Sequence, residues 1–407
     1  MSTTLKRSLS PLLITFYGLG TILGAGIYVL VGEVAGAAGL HTPFAFLIAS
    51  FVAAFSAFSF AELSSRFPKS AGEALYVQKA FSSRLLSTTV GLMVTAIGAI
   101  SAATISRGFT GYLQVFVDVP NWLTLCCLII TLGLVACWGI SESVTTIALM
   151  TSIELFGLLY ILWIGGDAFA QLPARLPEML PSWETGSWLA ISSGAFLAFY
   201  AYIGFEDMVN VAEEVKNPQR NMPLAIISCL LITSCLYIAV ALVAVLALPL
   251  EKLAGSHAPL ALLYQHKTGR PPTLISLISL FAVTNGALVQ IIMGARVLYG
   301  LSKQGWLPES LGNLHPRTRT PLLATLLLTA VVLIMALWLP LVALARLTSL
   351  ITLTVFACIN LALIVIKGCG PGPTESLTVP IWVPWIGFFI SCTMILLEIS
   401  RRVFAHA

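Results

Sequence analysis

Long stretches of this chain carry almost no charge, and polar or helix-breaking residues gather in short clusters between them. Divided at those Pro, Gly and charged positions, the pattern predicts eleven apolar helices. They lie at about 11–35, 42–64, 83–113, 121–139, 144–166, 189–212, 223–249, 273–301, 321–339, 343–366 and 380–400. Each is close to or above the ~20 residues that a helix needs to cross hydrocarbon. A transmembrane β-barrel would instead alternate apolar and polar residues in segments of about ten. The pattern therefore predicts an all-α polytopic membrane protein. The connections are short, so residues 1–407 read as a single transmembrane domain.

Composition sharpens this. Of the 407 residues, 58% are hydrophobic and 9% charged, where a soluble domain carries about 25% charged residues. The net charge of +4 is scattered between spans and forms no basic stripe, so no nucleic-acid partner is expected. The eight cysteines lie mostly inside apolar runs, and none is spaced as C-x-x-C. They read as reduced packing residues, and neither a metal nor a cofactor is expected. The first apolar run follows "MSTTLKRSLS" and mimics a signal peptide, but it is too long for one and is expected to stay as span 1. No P-loop is present, so ATP is not the expected energy source. No H-E-x-x-H, G-x-S-x-G or buried His/Asp cluster suggests an enzyme. The loops carry no signalling domain that would suggest a receptor.

With the N-terminus inside, thirteen Lys and Arg fall on inner segments and seven on outer ones. The positive-inside rule then predicts a cytoplasmic N-terminus in a bacterial inner membrane, and an odd span count places the C-terminus outside.

Span 1 contains "GLGTILGAGIY" (18–28), with three glycines at mid-depth. Span 6 contains "GAFLAFYAYIGFEDMVNVAEEV" (194–215), also apolar and glycine-interrupted. Paired interruptions in corresponding halves point to a transporter binding site. Spans 1–5 (about 11–166) and 6–10 (about 189–366) then form inverted repeats, with about 380–400 as a peripheral helix. A helix broken at mid-membrane exposes backbone groups that are tolerated only in protein or beside a cavity. The start of the second half-helix suits a carboxylate, and the carbonyls that end the first suit an ammonium. Together they match an α-amino acid. The competing reading is that these glycines only permit close helix packing.

"GTILGAGIYVL" resembles the G-x-I-x-G-x-G-[IV] signature of the amino acid–polyamine–organocation permeases. "FYAYIGFEDMVNVAEEVKNPQRNMP" resembles the span 6 signature and following loop of their cationic amino acid transporter-like branch. "FAELSSRFPKSAGEALYV" and "ARVLYGLSKQGWLPESLGNLHPRTRTP" fit the same family, and the likeness runs from about residue 11 to 366. The resemblance implies a five-plus-five inverted repeat and alternating access. It implies that the N–H groups of Gly24, Ala25 and Gly26 hold the substrate carboxylate. The Ile22 carbonyl would face the amino group, flanked by Thr21. On span 6 the carbonyls of Tyr200 and Ile203 would serve, with Ala201, Tyr202 and Gly204 completing the break. Tyr200 would also lid the substrate as a gate. The chain departs from the family pattern in three ways. Glu154 stands where relatives carry a Lys that substitutes for sodium, span 3 has Arg107 but no Glu before "GY", and the spans end at eleven.

Glu154 lies near the middle of span 5. At about 1.5 Å of rise per residue it is too deep to snorkel, and a charge there costs at least about 2.5 kcal/mol. It reads as the ion-coupling residue, carrying a proton or ligating a cation such as sodium. A neutral structural Glu is the alternative. Arg107 is a gate candidate or a snorkelling side chain. Glu62, Glu206, Asp207, Glu213 and Glu214 are expected to pair with Arg66, Lys216, Arg220 or Arg296 at an inner gate. The predicted function is a secondary active amino acid transporter, proton-coupled, with the lipid bilayer as surroundings. The alternative is an exchanger of amino acids or polyamines without net ion coupling.

Overall fold

The computed structural model describes residues 7, 9–23, 26–69, 72–138, 144–370 and 376–406, with the backbone alone for 144–147, 402 and 404–406. Span 1 is covered by α1 (Pro11–Leu23) and α2 (Gly26–Ala38), and span 2 by α3 (Thr42–Arg66), which has Pro43 in its first turn. A short helix, α4 (Gly72–Phe81), precedes α5 (Arg84–Leu113). Ser83 caps α5 by accepting the Leu86 N–H at 3.3 Å. Next come α6 (Asn121–Trp138), α7 (Val144–Gly165) and the short α8 (Leu172–Met179). Span 6 begins with α9 (Thr185–Phe199), and α10 (Pro218–Ala247) starts after a left-handed Asn217. The short helices α11 (Leu250–Ala254) and α12 (Pro259–Thr268) form one connection. The last four helices are α13 (Thr273–Lys303), α14 (Leu322–Trp338), α15 (Leu341–Gly368) and α16 (Trp382–His406).

Among the described residues, nine helical stretches are long and apolar enough to cross a membrane. The first, Pro11–Arg66, contains two of the predicted spans, and Leu322–Trp338 is a shorter apolar helix. The predicted spans thus fall on helices. The short helices α4, α8, α11 and α12 were not expected, because they lie in connections where the apolar pattern is weak. Large apolar side chains remain exposed around the bundle, among them Trp138, Trp163 and Trp338. This is the surface that lipid would cover, with indoles suited to its interfaces.

The interior is held by close approach of small residues. A Cβ on Gly98 of α5 would lie 3.1 Å from the Gln290 carbonyl of α13, and one on Gly194 of α9 would lie 2.6 Å from Ala38 Cβ of α2. Such contacts bring backbones together where lipid supplies no hydrophobic drive. The last helix is tied by charge as well. Arg346 of α15 donates to Glu398 of α16 at 2.8 Å and to Ser193 of α9 at 2.9 Å.

The expected pairing at the cytoplasm-assigned end is met by Glu62. It binds Arg66 at 2.5 Å and Lys367 at 2.8 Å, and it accepts the Val379 N–H at 2.8 Å. For Glu206 and Asp207 the expectation is corrected. Among the described residues neither pairs with Lys or Arg, because both turn inward to polar groups of the bundle.

Candidate functional site

Span 6 is interrupted as the sequence predicts. After Phe199 the chain makes a 3₁₀ turn over Tyr200–Tyr202, Ile203 is extended, and the chain resumes as a 3₁₀ coil over Glu206–Glu214. Gly204 carries φ +130°, a region open to glycine and strained for side chains. A Cβ there would also lie 2.5 Å from the Thr21 carbonyl. Thr21 Oγ1 donates to the Gly204 and Gly18 carbonyls, both at 2.9 Å. Spans 1 and 6 therefore meet at this interruption.

The expected break of span 1 falls on Gly24 and Ala25, which lie outside the described residues. α1 is described to Leu23 and α2 from Gly26. A Cβ on Gly26 would overlap Ala201, 2.6 Å from its Cβ. In this conformation Ala201 fills the space beside Gly26, which is what close helix packing requires. The Ile22 carbonyl accepts the Tyr237 hydroxyl at 2.9 Å.

Tyr200, Ala201, Tyr202 and Ile203 are all buried. Tyr200 donates to the Ser101 carbonyl of α5 at 3.3 Å, and Tyr202 to the Phe46 carbonyl of α3 at 3.1 Å. The Tyr202 and Tyr237 rings meet edge to face at 5.3 Å.

Glu154 is fully buried. Its Oε1 accepts Asn285 Nδ2 at 3.2 Å, while its Oε2 and Asn285 Oδ1 have no partner. Tyr28 of α2 donates to the Glu154 backbone carbonyl at 2.6 Å, and Tyr112 donates to the Tyr28 carbonyl at 2.5 Å. Hydroxyls thus link Glu154 to the half of span 1 that starts at Gly26. Arg107 is placed elsewhere. Its guanidinium donates to the carbonyls of Ala336 and Leu337, at 2.7 and 3.1 Å. These belong to the last turn of α14, where a cation suits the helix dipole.

Below the interruption, three buried carboxylates line a small space that adjoins a larger cavity. Glu206 Oε2 accepts the Gly204 N–H at 2.8 Å, and Asp207 Oδ2 accepts Gln290 Nε2 at 3.0 Å. Glu73 of α4 joins them, and burial, with Asp207 nearby, pushes its carboxyl up to about 8. The cavity of about 720 Å³ runs on between α5, α13 and α14, past Arg296 and Tyr299.

The predicted residues Thr21, Ile22, Gly26 and Tyr200 to Gly204 come together, Glu154 adjoins them through Tyr28 and Tyr237, and Arg107 stands apart at the end of α14. Tyr237, Asn285, Gln290 and Glu73 were not singled out. Asn285 and Gln290 carried a usable signal, since two amides inside an apolar run need partners. Glu73 carried none, because its neighbours come from α13 and the 206–214 coil.

A profile of the amino acid permease family matches residues 9–401. The chain is 28% identical over 400 residues to the branched-chain amino acid permease BcaP of Bacillus subtilis, covering 93% of this chain and 84% of that protein. It is 30% identical over 404 residues to the methylthioribose transporter of the same organism, covering 93% and 85%. It is 29% identical over 388 residues to the vacuolar cationic amino acid transporter 4 of Arabidopsis thaliana, covering 90% of this chain and 64% of that longer protein.

Proposed function

The chain belongs to the amino acid permease family, and we propose that it is a secondary active transporter that carries amino acids by alternating access with proton coupling. It is a membrane transporter rather than an enzyme. One relative is named for methylthioribose, so the substrate is argued from the site.

The observation that carries this reading is the interruption at Ile203–Gly204, lying directly against Thr21 of span 1. Carbonyls at this interruption would offer acceptors to an ammonium, and the N–H groups expected at Gly24, Ala25 and Gly26 would offer donors to a carboxylate. The proposed arrangement is two inverted repeats, about 11–166 and 189–366, rocking around this centre. Tyr200 serves as its lid, and Arg107 gates through its hold on α14. With the charge distribution taken as the guide to orientation, the N-terminus and the large cavity face the cytoplasm of a bacterial inner membrane.

Glu154 is the proposed coupling residue. A fully buried carboxyl with one oxygen unpartnered is suited to gain and lose a proton as α2 moves, because its backbone is tied to Tyr28. Sodium in place of the proton is an outcome of the same test. In proteoliposomes, accumulation of radiolabelled amino acids is measured under a pH gradient and, separately, as counterflow. Glu154→Gln is expected to abolish pH-driven accumulation while keeping counterflow. Full pH-driven accumulation by the variant overturns proton coupling through Glu154. A wild-type protein that shows counterflow and no response to a pH or sodium gradient establishes the exchanger instead.

A further inference from the structure

The three carboxylates that line the small space beside the cavity need a counter-charge or a proton. Glu73 is 3% exposed, Glu206 5% and Asp207 8%, and among the described residues no Lys or Arg pairs with any of them. Buried carboxylates at close quarters are costly unless they are neutralised. Glu206 and Asp207 each spend one oxygen on an internal donor, whereas Glu73 Oε1 has no partner at all. Asn210 completes the wall. Its amide abuts Gly72, with an unpartnered nitrogen, and a carboxamide can present either its oxygen or its nitrogen. The space among these groups is about 10 Å³, room for one water-sized group. It adjoins the cavity of about 720 Å³, which shares Glu73 and Asn210 in its lining and also carries Glu214, Arg296 and Arg319.

We propose that Glu73, Glu206 and Asp207 form a subsite for a primary ammonium group entering from this cavity. Such a group brings one positive charge and three N–H donors in a volume near that of water. It meets the unsatisfied Glu73 oxygen and the spare lone pairs of the other two carboxylates. The remaining body of the ligand lies in the wider cavity. The subsite adjoins the interruption, since Glu206 Oε2 accepts the Gly204 N–H, and it stands whether or not transport is proton-coupled.

The test uses the full purified chain in detergent and reads its melting temperature. The probe is 1,4-diaminobutane, titrated against choline chloride, which has no N–H, and against NaCl, all at equal ionic strength. A saturable stabilisation by the diamine alone is expected, with apparent affinity weakened by roughly ten-fold or more in Glu73→Gln, the size of a lost charge-assisted bond. Asp207→Asn carries the same expectation and replaces the first variant if that one does not fold. Equal stabilisation by choline overturns the proposal, as do unchanged affinity in both variants and the lack of a saturable shift. A saturable, Glu73-dependent shift with NaCl assigns the site to an inorganic cation and overturns the ammonium reading.

Discussion

The two ends of the bundle are built on opposite principles. The end opposite the cavity is closed by backbone approach. A Cβ on Gly32 of α2 would lie 2.6 Å from the Leu253 carbonyl of α11. One on Gly111 of α5 would lie 2.8 Å from the carbonyl carbon of His257, just before α12. At the other end a cavity of about 720 Å³ lies beside α5, α13 and α14, lined by apolar residues and by Glu73, Asn210, Glu214, Arg296 and Arg319. A seal made of glycines and carbonyls releases without breaking strong pairs. An opening that leads to buried carboxylates can hold a charged group on its way through. A carrier that alternates needs both, and the interruption at Ile203–Gly204 lies between them.

The comparison breaks most severely at the seal. Gly111→Val would drive a branched side chain into the His257 backbone, which cannot yield as a flexible side chain would. Uptake into proteoliposomes is expected to fall by roughly two orders of magnitude, as steric misfit of several kcal/mol allows. The control is Gly186→Val, outside the lining of the large cavity and with nothing within 4 Å of the added Cβ, and it should leave uptake close to wild type. Normal uptake by a folded Gly111→Val protein would show that this contact is no seal.

Gly26 sharpens what happens midway. The sequence left two roles open, cradling a carboxylate or letting helices touch, and Ala201 occupies the space where a side chain would go. Gly26→Val is therefore expected to lower the melting temperature and abolish substrate binding together. A variant with normal stability and no binding would restore the cradle as the reason for glycine at this position.

The seal and the opening also differ in how far the sequence disclosed them. The interruption of span 6 was legible because Gly204 must adopt φ +130°, and a glycine inside an apolar run is a local signal. Glu154 was legible because a lone carboxylate at mid-span is expensive wherever it points. The acidic cluster was not. Glu206 and Asp207 were expected to find cations along their own surface, yet their partners are Gly204 and Gln290. Gln290 and Glu73 reach that place through the packing of α13 and α4, which periodicity does not encode. The partners of Arg107 were hidden for the same reason: its acceptors are the last carbonyls of α14, more than two hundred residues away in sequence.

Tyr200 is the next smaller test, because it joins the interruption to α5 by a ring and one hydroxyl. Tyr200→Ala removes the buried ring, whose loss costs about 3–5 kcal/mol when a core aromatic is truncated. The melting temperature is expected to fall on that scale, and apparent substrate affinity by roughly ten-fold or more as the aromatic contact is lost. Tyr200→Phe removes only the bond to the Ser101 carbonyl. A typical net hydrogen bond of about 1 kcal/mol corresponds to roughly five-fold. If Phe were as damaging as Ala, the hydroxyl rather than the ring would be the functional part, and the lid role would fall.

The smallest expected effect belongs to Glu73, and it is a slope rather than a loss. Burial holds its carboxyl near 8 in the folded chain, against an ordinary value of 4.5. Between those values the folded protein keeps a proton that the unfolded chain has released. Stability contributed by that proton is therefore present at low pH and is lost as pH rises through the window. In Glu73→Gln nothing titrates at this position, so the decline of melting temperature from about pH 5 to pH 8 should be shallower than in wild type. For a chain of this size the difference is roughly a few degrees. The diamine should act in the opposite sense, since an ammonium binds the ionised carboxylate and holds it in the charged form. With saturating 1,4-diaminobutane, the wild-type curve should approach that of the variant at the alkaline end. Parallel curves in the absence of the diamine would mean that Glu73 is already ionised and paired in the folded chain. The open end would then lack the unpaired, proton-bearing carboxyl that distinguishes it from the sealed one.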